Sequence, residues 1–306
     1  MNELCSFIEK LHSSGCRRIV YAGGEPTLHS RYADILSLAD RYPDISYGIT
    51  SNGMLCPEAQ LRLYKDNPLF TVQISVDGSS EEIAARTRGK GAFTYAQETV
   101  RKLTLANPSK RVTVKTVLSQ ANVDDTEAFY RWAMSEHADP DYAFINRMGN
   151  GEDSWESKGL TAQQKLSALK KIDLLNQEYK HQAQLPSCTS TCPYGGEEPE
   201  ASILVKPDGG IYPCQALYDK RFELLNIHDF TQEAFDGAMG QFIELVKART
   251  QLDYGCSHCL VKDKCKRGCI GHAFNNCGDP LGDDGECEYR KIQFLGYDVL
   301  RAFVKS

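Results

Sequence analysis

The chain has 306 residues, enough for one large domain or two ordinary ones with a sizeable buried core. With 41% hydrophobic and 25% charged residues it has the balance of a globular protein, and its net charge of −6 without a long basic run disfavours a nucleic-acid partner. No apolar stretch nears the roughly 18 residues of a membrane helix, and Glu3, Cys5 and Glu9 stand where a signal-peptide core would sit, so a reducing, cytoplasmic location without membrane contact is expected.

The first half alternates helix and strand. Leu4, Phe7, Ile8 and Leu11 mark one face of an opening helix that stops near Gly15. Residues 17–22 read as a buried strand running into Gly23-Gly24-Glu25-Pro26, after which Tyr32, Ile35, Leu36 and Ala39 repeat an amphipathic helical pattern. Residues 46–50 form a short strand ending in Ser51-Asn52-Gly53, and Pro57 is placed to open the next helix. Residues 70–76 are strand-like and lead into Asp77-Gly78; residues 93–106 look helical. Residues 111–118 alternate, with Val112, Val114 and Leu118 on one side. Phe129, Trp132 and Ala133 mark a further helix, and residues 142–146 a fifth strand. This order predicts an α/β domain over residues 1–150 with a parallel sheet, curled or open. Residues 151–187 read as a linker and a long helix carrying Leu166, Leu169, Ile172, Leu175 and Tyr179 on one face. Beyond it come a hairpin around Asp208-Gly209-Gly210, a helix marked by Phe235, Met239, Phe242 and Val246, and a terminal helix over 291–306 with Leu295, Val299 and Phe303.

The cysteines carry most of the information. Three of the twelve fall before residue 60 and nine lie between 188 and 287, which suggests a thiol-poor front domain and a metal-rich back domain. Cys256-x2-Cys259-x5-Cys265-x3-Cys269 puts four thiols within 14 residues, a spacing that closes on one metal centre; zinc and iron–sulfur clusters both use it. Cys188-x3-Cys192 and Cys214 stand upstream and Cys287 downstream, making the eight thiols that two four-cysteine clusters require. Cys5, Cys16, Cys56 and Cys277 fit no such pattern.

With these residues the chain resembles the radical S-adenosylmethionine (radical SAM) enzymes that carry a C-terminal SPASM domain, over roughly residues 1–300. The shared pattern is Cys192, then Gly209-x4-Cys214, then Cys256, Cys259, Cys265 and Cys269, and finally Cys287. The resemblance implies two auxiliary [4Fe–4S] clusters in a SPASM domain over 188–290. One would be held by Cys188, Cys192, Cys214 and Cys269, and the other by Cys256, Cys259, Cys265 and Cys287. At the front, Gly23, Gly24 and Glu25 resemble the family's GGE motif, where the glycines admit the methionine part of S-adenosylmethionine and Glu25 accepts from its ammonium group. Ser51 and Asn52 resemble the segment that hydrogen-bonds the ribose. Ser75 and Asp77 end the next strand, with Ser75 placed toward the cofactor's carboxylate or ribose, and Arg88-Gly89 with Gly91 and Phe93 resembles a stretch whose arginine pairs with that carboxylate. The fold implied is a partial (β/α)6-type barrel followed by the cysteine-rich domain.

One element of the family pattern is absent. The chain has no Cys-x3-Cys-x2-Cys, the triad that holds the catalytic [4Fe–4S] cluster on the loop after the first strand. Because the chain opens on the helix that leads to the GGE strand, the first strand and cluster loop are expected upstream of Met1, a piece on the order of 30–100 residues. Truncation is the favoured expectation and a naturally cluster-less homologue the alternative; a third cluster belongs only to the longer enzyme. As it stands the chain is expected not to cleave the cofactor, and the strand at Arg17 is expected to present an open edge.

The activity the resemblance implies is hydrogen abstraction by a 5′-deoxyadenosyl radical on a precursor peptide or protein, installing a thioether or carbon–carbon crosslink. An electron donor such as flavodoxin or ferredoxin would serve it. Sulfatase-maturing relatives carry an acid after the Cys of Gly-x4-Cys, whereas Cys214 is followed by Gln215, which takes no proton, so formylglycine formation is disfavoured. A catalytically silent cluster protein that binds a peptide or partner, and a zinc-stabilised binding module, stay open. The run from Lys262 to Arg267 reads as the solvated rim of the cluster loop, Asp219 as a solvated loop acid, and Tyr194 and Tyr212 as core.

Overall fold

A computed structural model of the chain describes residues 1–148, 155–183, 192–195, 202–253 and 255–295. It divides into two compact units, Met1–Ile145 with Ser167–Pro186, and Asn146–Leu166 with Ser187–Ser306. The expected linker region 151–187 is thus shared between the two.

The first unit is an α/β layer built on a five-stranded, all-parallel sheet whose spatial order follows the sequence: β1 (Arg18–Tyr21), β2 (Ser46–Ser51), β3 (Phe70–Ser75), β4 (Val112–Leu118) and β5 (Ala138–Phe144). Helices α1 (Asn2–Ser13), α2 (Tyr32–Leu36), α3 (Leu38–Arg41), α4 (Glu58–Asp66), α5 (Glu81–Arg88), α6 (Ala92–Ala106) and α7 (Thr126–Ser135) intervene. One face of the sheet buries Phe70, Val72, Ile74, Val112, Val114 and Leu118 as the core. The other face is polar. Gln73 donates to Thr50 at 3.4 Å, and Ser75, Lys115 and Asp141 lie side by side in register, with Lys115 Nζ 2.8 Å from Asp141. A parallel sheet buried on both faces is apolar on both, so this polar row marks a face built to meet something hydrated.

Two strand expectations need correcting. The first strand is not buried: Val20 is 47% exposed, and among the described residues β1 pairs with β2 alone, at one edge of the sheet. The fifth strand begins at Ala138, four residues before the expected start, because Pro140 hid it; proline is tolerated there since β5 is the other edge.

The second unit packs Tyr194, Leu217, Met239, Phe242, Val246 and Ile270 into a small core. Its longest helix is Gln232–Gln251, started by the Thr231 hydroxyl accepting from Ala234 N–H. The expected hairpin is present as Leu204–Val205 against Gly210–Tyr212, and a third strand, Leu225–Asn226, joins it. Tyr194 and Tyr212 are core residues, with hydroxyls donating to Pro213 O and Glu223 respectively. The terminal helix runs Cys287–Leu295; Val299 and Phe303 lie outside the described residues, as does Cys188.

Candidate functional site

Because all five strands are parallel, their carboxyl ends share one rim, where α/β sheets bind ligands. The Gly23-Gly24-Glu25 loop leaves β1 there, Asn52 and Gly53 leave β2, and Asp77 leaves β3. Glu25 is the hub. Its carboxylate accepts from Thr27 N–H (3.1 Å) and hydroxyl (2.7 Å), from Ser51 Oγ (2.9 Å) and from Asn52 N–H (2.7 Å), tying the ends of β1 and β2 together. Gly23 has φ +135°, which only glycine adopts readily, and a Cβ on Gly23 or Gly24 would meet nothing within 4 Å. Gly53 differs: a Cβ there would run into the Ala96 backbone and Ile74, so its glycine serves packing.

Asp77 does for β3 and β4 what Glu25 does for β1 and β2. It accepts from Val117 N–H (3.0 Å) and pairs with Arg88 Nε (2.8 Å), while its backbone carbonyl accepts from the Asn122 amide. The structure therefore places Arg88 against Asp77, at the end of α5, a helix the sequence reading passed over although Ser80-Glu81-Glu82 is a helix-start signature. Ser75 Oγ has no hydrogen-bond partner among the described residues. Lys115 was also passed over, with the polar side of the alternating 111–118 strand as its available signal, as were Gln73, Asn122 and Asp141, which lie outside that strand.

In the second unit the thiols separate into two groups that cross the sequence order. Burial raises the thiols of Cys192, Cys214 and Cys269; Cys214 adds to the rise at Cys192, and both add to it at Cys269, which is pushed up to about 12. Backbone N–H groups of Tyr194, of Ala216 and Leu217, and of Gly271 and His272 face those three sulfurs and partly offset the burial. Burial pushes the Cys287 thiol up, with a smaller addition from Cys259. Cys265 accepts from Arg290 Nε at 3.1 Å, and the loop ahead of it starts at Asp253, which accepts from Cys256 N–H at 2.9 Å. Eleven cysteines, all those described, are free thiols.

Two observations test whether an iron–sulfur cluster suits the first group. Amides converging on sulfur favour thiolate over thiol, the form a cluster binds. Arg249, only 2% exposed, spends its two terminal nitrogens on the carbonyls of Pro280, Gly282 and Arg267, yet its Nε is buried without a partner and the guanidinium is coupled to Cys192 and Cys269. An anionic sulfur beside it would satisfy that donor, so the residues fit. Arg249 continues the stripe of Met239, Phe242 and Val246 at helical spacing, and that misplaced cation was its sequence signal. Among the described residues no three His, Cys, Asp or Glu groups are close enough to hold a single metal ion, which speaks to a lone ion rather than to a wider iron–sulfur cube.

Lys262, Lys264 and Lys266 are exposed, as a solvated rim requires, and Asp219 caps the Lys220–Phe222 turn, its carboxyl held down to about 2 by Arg221.

Residues 3–133 match the Radical SAM superfamily. The mycofactocin maturase MftC of Mycolicibacterium smegmatis is 27% identical over 277 residues, spanning 87% of this chain and 69% of that protein. Among solved structures, anSMEcpe with bound AdoMet and Cp18Cys peptide superposes with a TM-score of 0.74 at 16% identity, covering 99% of this chain and 90% of that one. SuiB of Streptococcus suis bound to precursor peptide SuiA gives 0.72 at 11% identity, covering 92% and 67%. The α/β architecture with its parallel sheet is thus that of these radical SAM enzyme structures.

Proposed function

We propose that the chain is a peptide-modifying maturase of the radical SAM/SPASM kind, with two auxiliary [4Fe–4S] clusters in its second unit and S-adenosylmethionine bound at the rim of its first. The observation that carries this reading is the crossing of the thiols. Cys269 keeps company with Cys192 and Cys214, while Cys265, four residues earlier, faces the helix that starts at Cys287. Adjacent thiols of one zinc knuckle would not part in this way, whereas the interleaved ligand sets expected for SPASM require it.

When bound, S-adenosylmethionine supplies the hydrogen-abstracting equivalent and the clusters supply a path for the electron. The chain's own residues do the holding. Gly23 and Gly24 leave room for the backbone to approach the ligand, and Glu25 is fixed as an acceptor at the junction of β1 and β2. Ser75 offers a hydroxyl without a partner among the described residues one strand away, and the Lys115–Asp141 row presents fixed charges to a polar substrate. That the relatives include a maturase and a protein solved with a precursor peptide supports a peptide as the substrate. This 306-residue polypeptide holds no Cys-x3-Cys-x2-Cys, so we propose that alone it does not cleave the cofactor.

The ligand sets are tested by single substitutions on reconstituted protein. Cys269→Ala and Cys287→Ala should each lose about four irons, and the double variant about eight. Loss of the same four irons in all three would contradict the interleaved sets.

A further inference from the structure

The turn between the last two thiols of the cysteine run is left-handed at three consecutive residues, Lys266 (φ 43°), Arg267 (φ 66°) and Gly268 (φ 68°). A lysine and an arginine held there store backbone strain, which persists only where the surroundings impose it. On either side of this turn, Cys265 and Cys269 meet opposite members of one buried ion pair. Arg290 and Asp284, 3% and 5% exposed, are joined by two hydrogen bonds of 2.5 and 2.6 Å. Asp284 also accepts from Cys269 N–H at 3.2 Å, and Arg290 Nε donates to Cys265 Sγ at 3.1 Å. Gly268 lies against both partners, and a Cβ there would collide with Arg290 Nη1 and Asp284 Oδ2. Arg290 stands three residues after Cys287, on the same face of its helix.

We propose that Arg290, oriented by Asp284, sets the reduction potential of the cluster bound through Cys265, and that it acts on that cluster selectively. The assignment rests on the two-cluster reading above. A hydrogen bond to a ligating sulfur stabilises the more negative, reduced state and so raises the potential. Because Asp284 neutralises the guanidinium, the directed Nε–H matters more than the net charge. A lysine, which keeps the charge but lacks the planar fork, does not replace it. Asp284 also links the loop of Cys269 to the same pair, so one buried unit positions a ligand of each cluster.

The test is redox titration of the reconstituted chain followed by electron paramagnetic resonance, with Cys287→Ala used to identify which signal belongs to the Cys265 cluster. Arg290→Lys should lower the midpoint of that cluster by about tenfold in its reduction equilibrium, about 59 mV for one electron, leaving the other cluster where it was. Because Arg290→Lys leaves Asp284 imperfectly paired, Arg290→Gln, which keeps Asp284 and its bond to Cys269 N–H, should show the same selective fall. Full iron with both midpoints unmoved, or both clusters shifting together, overturns the assignment while leaving the two-cluster reading intact. Wild-type protein that takes up no iron overturns that reading itself.

Discussion

At the rim of the sheet Glu25 accepts from donors at the end of β2 and from its own turn, with Asn52 N–H the one donor on Oε2, and this fixes what a change there should do. Glu25→Ala strands the Asn52 N–H and the Ser51 hydroxyl, at a cost of about 1–3 kcal/mol of stability, measured by urea denaturation. Glu25→Gln keeps the shape but turns an amide NH2 toward those donors, and it should weaken S-adenosylmethionine binding at least about tenfold by calorimetry. Unchanged affinity would remove Glu25 from the binding site. The same scale governs Gly268, whose positive φ and crowding against the Arg290–Asp284 pair make alanine unacceptable. Gly268→Ala should cost about 2–4 kcal/mol, and a thermal midpoint equal to wild type would show that the turn relaxes freely. The motif glycines and Glu25 were legible in the sequence as loop signals at a strand end. Arg290, Asp284 and Arg249 were not, because a buried charge is recognised by its partners, and those lie 6 to 33 residues away along the chain.

Among elements, the two edges of the sheet behave differently. Pro140 in β5 withholds a donor from its open side, a recognised guard against further pairing. No such guard protects β1, whose four residues alternate between exposed and half-buried. Val20→Lys should therefore reduce concentration-dependent self-association, followed by analytical ultracentrifugation, while changing stability by about 0.5 kcal/mol or less. Association that persists unchanged would place the contact elsewhere. Four of the five strands fall where period and turn residues put them, because alternation and glycine punctuation are local signals. α5 was passed over and the start of β5 misplaced for local reasons too: α5 is short and mostly polar, and β5 carries a proline. The left-handed turn at Lys266–Gly268 has no local signal beyond a single glycine, since two of its residues do not favour that conformation and are held in it by the surrounding packing.

For the molecule as a whole, the first unit gathers Glu25 and the open Gly23-Gly24 backbone at one rim, and in the second Cys269 lies near Cys192 and Cys214 while Cys265 meets Arg290 on the helix that starts at Cys287. Cysteine placement suggested a thiol-poor front and a thiol-rich back, whereas the sharing of residues 146–186 between the two units and the parting of Cys265 from Cys269 needed the structure. If the chemistry belongs to the radical SAM class, the 306-residue polypeptide incubated with S-adenosylmethionine and a strong reductant should yield no 5′-deoxyadenosine above a reductant-only control, since it holds no Cys-x3-Cys-x2-Cys. Release of that product would mean that another thiol set supports cleavage. The most direct measurement is anaerobic iron and sulfide quantitation on this polypeptide after cluster reconstitution. The account predicts about eight irons and eight sulfides per chain, two clusters of four. Zinc without iron, or about four irons, would contradict it.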